Sequence, residues 1–91
     1  MKYYQLPIAI GRVGDDPAMT DAIRALMLAG IDVRRPEKSS YQLKVSETIS
    51  YYPAKGTIFI DGTDGALPQH GLQALLTLLA DQPGEQALGI Q

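Results

Sequence analysis

Cysteine and tryptophan are absent from this 91-residue chain, and it contains a single histidine, His70. The absence of cysteine excludes disulfide bonds, thiolate metal sites and cysteine nucleophiles. A single histidine excludes a metal site built from several imidazoles. No apolar run approaches the roughly 20 residues that a membrane-spanning helix needs, and we expect no signal peptide because Pro7 breaks the short apolar run near the start.

The composition is that of an ordinary globular domain, with 45% hydrophobic and 20% charged residues. Ninety-one residues are too few for a second core, so we expect one domain over residues 1–91. Residues 83–91 begin with a Pro-Gly pair, which is expected to end the second helix, and are expected to form a loosely held tail.

The stretch Tyr51–Gly62 is the most specific structural signal in the chain. Two β-rich runs flank a short turn, and Pro53 suits a strand end because proline donates no ladder hydrogen bond. Gly56 suits the turn because glycine adopts positive φ at low cost. The pattern predicts a β-hairpin with Ile58 and Ile60 on the core face.

A helix is predicted to begin at Asp16-Pro17, with Asp16 as N-cap and Pro17 in the first turn. It is predicted to end at Gly30, with Ile31 folding back onto it. Apolar residues recur between these limits at helical spacing: Met19, Ile23, Leu26 and Met27.

The remaining pattern predicts an α+β domain, a small antiparallel β-sheet packed against two helices in the order β-α-β-β-β-β-α. The second helix is expected to start near Pro68 and to carry a leucine stripe, after a loop over residues 62–66. The predicted strands are Tyr3–Val13 (an edge strand), Ile31–Arg35, Tyr41–Val45, Ile49–Tyr52 and Thr57–Asp61.

The net charge of −2 conceals an uneven distribution. Five basic side chains stand against two acidic ones between residues 34 and 55, whereas Asp15, Asp16 and Asp21 give the body an acidic surface. A basic sheet region could attract an anionic partner. The same charges also fit a solvated strand face, and both interpretations stay open.

The side chains that could act in catalysis or bind a metal ion are explained better by structural roles. His70 has no evident nucleophile beside it, and Asp61, Thr63 and Asp64 lack the ligand spacing of a calcium loop. Turn chemistry explains these acidic residues. We therefore predict no enzyme activity, no cofactor and no metal site.

The aromatic residues are the better candidates for a binding role. Tyr51 and Tyr52 are adjacent, so on a strand they point to opposite faces. One ring is expected in the core, and the other, with Phe59 nearby, could stack bases or anchor a protein interface. Burial of both rings under a covering element is the alternative.

Four segments together resemble small proteins common in phages and prophages: Ala29–Ile31, Tyr41–Val45, Tyr51–Thr57 and Gly71–Leu75. In those proteins a helix ending in Ala-Gly-Ile precedes a hydrophobic strand, an aromatic-Pro-x-x-Gly hairpin and a final Gly-Leu helix. The resemblance covers about half the chain. It implies a mobile-element context, in which small binders that block bacterial defence complexes, including anti-CRISPR proteins, are frequent.

The α-β-β-β-α order is also similar to the double-stranded-RNA-binding-like fold of the HicA toxins. Those toxins carry a Gly-Ser-His-His stretch, and the matching residues here, Ser39–Gln42, include no histidine. Their nuclease chemistry is therefore not expected in this chain, but RNA or DNA binding remains the alternative function.

These observations predict a non-catalytic binding protein that sterically inhibits a bacterial protein or ribonucleoprotein complex in the cytoplasm. We expect no membrane partner, and either a monomer or a homodimer paired through the edge strand Tyr3–Ile10. The predicted partner-binding residues are Arg34, Arg35, Lys38, Lys44, Tyr52 and Lys55.

Overall fold

A computed structural model describes residues 3–63 and 65–80. The predicted α+β class is confirmed: a four-stranded antiparallel sheet accompanies two helices, and the element order matches the prediction roughly. The predicted tail over residues 83–91 lies outside the described residues. The elements are a 3₁₀ helix at Tyr3–Gln5, α1 at Pro17–Leu28, β1 at Leu43–Lys44, β2 at Ile49–Tyr52, β3 at Thr57–Ile60, β4 at Ala66–His70 and α2 at Leu72–Ala80.

The strands lie in the order β1-β2-β3-β4. Beyond β1 the backbone continues the sheet through single bridges, in which Arg34 pairs with Lys44 and Ile8 pairs with Arg34. Residues opposite each other in an antiparallel pair point to the same face, and Lys44 lies opposite Ser50, which lies opposite Phe59. These five residues therefore project from one face, here called the outer face.

The other side, here called the core face, is closed by both helices. Leu43, Tyr51 and Ile58 lie opposite one another in adjacent strands and are buried. The predicted division of the tyrosine pair is confirmed, because Tyr51 is in the core and Tyr52 is on the outer face. One buried cluster joins the core face to the helices through Met19, Ala22, Ile23 and Leu26 of α1 and Leu75 and Leu79 of α2.

The predicted strands Tyr3–Val13 and Ile31–Arg35 are much shorter than expected. Residues 3–5 form the 3₁₀ helix, and the paired residues of the two segments are Ile8, which pairs with Arg34, and Arg34, which also pairs with Lys44. Pro7 contributes only its carbonyl, which accepts a hydrogen bond from Arg35 N at 3.0 Å. Proline donates no ladder hydrogen bond, so these segments are held by a few bonds, and a regular edge strand for homodimer pairing is not present there.

Helix α1 confirms its predicted limits. Pro17 stands in its first turn after Asp16, although the Asp16 side chain makes no capping hydrogen bond. At the other end Ile31 N donates to Leu26 O and Gly30 N donates to Met27 O, each at 3.0 Å. This double closure is a Schellman motif, and it requires the positive φ of Gly30, which is 83°.

The start of the second helix was predicted wrongly. Pro68 lies in β4 rather than in the first turn of a helix, and α2 begins at Leu72. Strand β4 is the last strand of the sheet, where proline is tolerated because an edge strand needs fewer ladder bonds. The register between β3 and β4 is irregular: Thr57 pairs with His70, and Phe59 pairs with Ala66.

Candidate interaction surface on the outer face

An apolar hollow of about 580 Å³ opens on the outer face. Tyr52 and Phe59 form its aromatic wall, with ring centroids 5.7 Å apart and planes at 77°. The register explains this contact, because Tyr52 lies opposite Thr57, two residues from Phe59, and diagonal neighbours on one face can touch. The lining residues are Tyr41, Tyr52, Ala54, Lys55, Thr57 and Phe59.

Among the described residues, Lys55 provides the only charge in this lining. It is held at the rim by the hairpin turn, in which Gly56 N donates to Tyr52 O at 2.8 Å. Its side chain is exposed and has no carboxylate partner within residues 3–63 and 65–80. Of the predicted binding residues, Tyr52 and Lys55 are thus brought together in one site.

Arg34 lies on the outer face but is engaged within the molecule. Its guanidinium contacts both carboxylate oxygens of Asp32 at 2.9 Å and donates to Leu6 O at 2.8 Å. The hydrogen bonds to Asp32 raise the pKa of Arg34. Its charge is therefore compensated locally.

Lys44 is compensated in the same way. Its ammonium lies 3.7 Å from an Asp61 carboxylate oxygen and donates to Glu47 O at 3.3 Å. With Arg34 and Lys44 both paired, the basic surface expected from the sequence carries less free positive charge than the residue count indicates.

Arg35 must be removed from the predicted binding residues, because it is only 1% exposed. It lies next to Arg34 in an extended segment, so its side chain turns to the opposite face. There its guanidinium nitrogens contact the two carboxylate oxygens of Asp15 at 2.6 and 2.9 Å and also donate to Ile10 O and Ser40 O. A residue buried in this network cannot contact a partner.

The network also changes the acidic surface expected from the sequence. Hydrogen bonding to Arg35, together with a backbone bond from Arg12, lowers the pKa of Asp15 from 3.8 to about 2. Asp15 therefore links the loop before α1 to the Arg35 segment instead of facing solvent. Asp16 and Asp21 remain exposed.

Lys38 is exposed in the turn between Arg34 and β1, and it does not line the hollow. The Arg12 guanidinium stabilises this turn by donating hydrogen bonds to Pro36 O at 3.2 Å and to Ser39 O at 3.3 Å. The candidate surface is therefore narrower than predicted, and Lys38 lies outside its lining.

The residues considered for chemistry take ordinary positions. His70 is exposed on β4, and the Thr63 hydroxyl donates to Ile60 O at 2.7 Å in the turn after β3. Asp64 lies outside the described residues.

No group of three histidine, aspartate or glutamate side chains that could hold a metal ion occurs among residues 3–63 and 65–80. In the same part of the chain no helix is long and apolar enough to cross a membrane.

Sequence reasoning missed Tyr41, Ala54 and Thr57 as lining residues. The prediction places Tyr41 in the strand Tyr41–Val45, but β1 begins only at Leu43 and the preceding bend leaves Tyr41 69% exposed. The signal available is that Tyr41 is the first residue of this predicted strand, because the boundaries of an element are less dependable than its existence. No protein-family model, curated protein or solved structure matches this chain.

Proposed function

We propose that this protein is a non-catalytic binding protein whose outer face holds a protein partner. The observation that carries the proposal is the aromatic hollow, which combines half-buried Tyr52 with exposed Tyr41 and Phe59. Tyrosine and phenylalanine are enriched in protein interfaces, where their rings bury large areas at low conformational cost. A sheet face that only met water would expose fewer rings.

The charge distribution supports a protein rather than a nucleic acid as the partner. Nucleic-acid binding depends on cationic side chains that neutralise phosphates. Arg34 and Lys44 already contact Asp32 and Asp61, so binding phosphate would require them to give up these carboxylates. Lys55 alone supplies a free cation to the lining of the hollow.

The resemblance to phage and prophage proteins supplies a biological context for this surface. In that context the protein occupies a functional surface of a bacterial defence or nucleic-acid-handling complex in the host cytoplasm and inhibits it sterically. A homodimer remains part of the hypothesis, although the edge at Ile8 offers only one paired residue for strand addition.

Direct RNA or DNA binding is the second candidate, and the exposed aromatic rings beside Lys55 favour it. Aromatic side chains bind unpaired bases by stacking, and a nearby cation can contact the backbone. This candidate predicts an affinity that falls steeply with salt concentration. The protein-partner proposal predicts a weaker salt dependence.

Affinity purification of the tagged chain from bacterial lysate, with and without nuclease, separates the two candidates. Phe59→Ser tests the outer face, and Leu28→Ser is the matched control because Leu28 is an apolar residue 82% exposed at the end of α1. We expect a discrete protein complex that survives nuclease, is retained by Leu28→Ser and is lost with Phe59→Ser. Each variant is first checked for a cooperative unfolding transition with a midpoint well above the assay temperature.

Recovery of nucleic acid that disappears on nuclease treatment would replace the proposal with the second candidate. Retention of the same complex by Phe59→Ser would show that the outer face is not the binding surface.

A further inference from the structure

A second hollow adjoins the apolar hollow at the end of the sheet where Tyr41 and Ala54 lie. It has a volume of about 230 Å³ and lies between the loop before α1 and the start of β1. Tyr41 and Ala54 line both hollows, so the two hollows adjoin at these side chains. We call the two adjoining hollows together the groove. The second hollow is lined by Arg12, Val13, Gly14, Asp15, Asp16, Met19, Ser40, Tyr41 and Ala54.

An exposed charged side chain lies at each end of the groove, Lys55 at one end and Asp16 at the other. Lys55 lines the apolar end and has no carboxylate partner in the described part of the chain. At the other end Asp15 pairs with Arg35, and the half-buried Arg12 keeps its charge while its guanidinium donates into the turn, to the carbonyls of Pro36 and Ser39. Asp16 is exposed there, and its side chain makes no capping hydrogen bond.

We propose that the groove binds an extended protein segment in which an apolar residue lies between an acidic and a basic residue. The acidic residue would contact Lys55, the apolar side chain would enter the hollow against Tyr52 and Phe59, and the basic residue would contact Asp16. Opposite charges at fixed positions set the direction of a bound segment and suppress wrong partners. This inference rests on the proposed function and specifies the chemistry of its partner.

The same arrangement disfavours a nucleic-acid strand lying along the groove. A strand would bring phosphates past both ends, and the Asp16 carboxylate would repel them at one end. A polypeptide with mixed charges meets no such conflict.

The test uses a displayed library of random peptides selected on the full chain. The selected sequences are synthesised with a fluorescent label and measured by anisotropy against wild type, Lys55→Gln and Asp16→Asn. We expect the enriched sequences to share the order acid, apolar residue, base. Each neutralising substitution should weaken binding about threefold, because exposed ion pairs contribute modestly.

Matched controls keep the charge changes interpretable. Lys38→Gln and Asp21→Asn neutralise exposed charges that do not line the groove, and we expect both to leave peptide affinity unchanged. In Lys55→Glu, a peptide with lysine in place of its acidic residue should bind better than the original peptide. All of these residues are exposed, so unfolding midpoints should stay close to that of wild type.

Enriched peptides without this charge order, or affinities unaffected by Lys55→Gln and Asp16→Asn, would overturn the inference. If those peptides still lost affinity on Phe59→Ser, the proposed function would stand without it. If no selected peptide depended on Phe59, or none were enriched, the inference and the proposed function would both fail.

Discussion

The two faces of the sheet use neighbouring, chemically identical residues in opposite ways. Tyr51 fills the core while Tyr52 borders the outer hollow, and Arg35 is buried against Asp15 while Arg34 lies at the surface with Asp32. In each pair one step along an extended backbone changes the environment completely. Residue type alone therefore does not indicate which tyrosine or arginine can meet a partner.

The comparison also separates stability from binding. The core face holds the fully buried side chains and the ion pair that fastens the loop before α1. The outer face keeps aromatic surface exposed, and its ion pairs are open to water. Substitutions on the core face should therefore reduce stability, whereas those on the outer face should reduce binding.

The largest contrast is expected between two adjacent residues of β3. Ile58 is completely buried, and Ile58→Ala should lower the free energy of unfolding by about 3 kcal/mol because it removes apolar contacts and leaves a cavity. Phe59 is 37% exposed, and Phe59→Ala should lower it by about 1 kcal/mol through loss of the ring contact with Tyr52. Urea denaturation measures both values. Equal losses would contradict the division of the faces.

A second contrast concerns the adjacent arginines. Arg35→Ala removes one partner of a buried ion pair and should lower the free energy of unfolding by about 3 kcal/mol, because Asp15 is left without its cation. Arg34→Ala acts on an ion pair exposed to water, so its effect should be clearly smaller. Thermal unfolding of both variants shows which one is less stable. A larger loss of stability in Arg34→Ala than in Arg35→Ala would contradict the assignment of Arg35 as the buried partner.

The hairpin turn is expected to tolerate no side chain at Gly56. Its φ is 72°, and an added Cβ would lie 2.9 Å from the backbone nitrogen of Gly71, which donates to Gly56 O. Gly56→Ala should lower the free energy of unfolding by about 2 kcal/mol through backbone strain and this clash. This contact ties the turn to the residue before α2, which covers the core face.

Gly62→Ala is the matched control for that prediction, because Gly62 also has positive φ, 88°, but its added Cβ would meet open space. We expect Gly62→Ala to lose less stability than Gly56→Ala. The difference between the two unfolding free energies isolates the clash with Gly71, and no difference would show that the close approach is unimportant.

The last effect expected is the dependence of stability on pH. Because its pKa falls from 3.8 to about 2 on folding, Asp15 stabilises the folded state fully above pH 3.8, and this contribution is lost as pH falls through about 2. Asp15→Asn should flatten this part of the stability curve, whereas Asp21→Asn, at an exposed position, should not. Unfolding midpoints measured across this pH range test the prediction. Identical curves for Asp15→Asn and wild type would contradict a stabilising ion pair between Asp15 and Arg35.

The elements that the sequence predicted well depend on local chemistry. Helix α1 begins at Pro17 and closes at Gly30, and the hairpin of β2 and β3 turns at Gly56 as expected. The elements predicted wrongly depend on neighbours. Pro68 is compatible with a helix start or an edge strand, and only its place at the edge of the sheet decides between them.

The candidate site divides in the same way. Tyr52 and Lys55 follow from the hairpin and its alternation, so both could be predicted. The burial of Arg35 could not, because Asp15 lies 20 residues away and meets it only when the loop before α1 folds under the sheet. The exposure of Tyr41 depends on where β1 begins, which is set by pairing with β2.

The sequence by itself therefore determined the α+β class, the first helix, the hairpin and the separation of Tyr51 from Tyr52, because caps, turns and alternation act between residues close in the chain. Only the tertiary structure decided which charges remain free and which rings form the groove. Those properties arise mainly from contacts between distant segments, where Asp15 and Asp61 each pair with a cation counted as available from the sequence; Asp32 pairs with Arg34 from only two residues away.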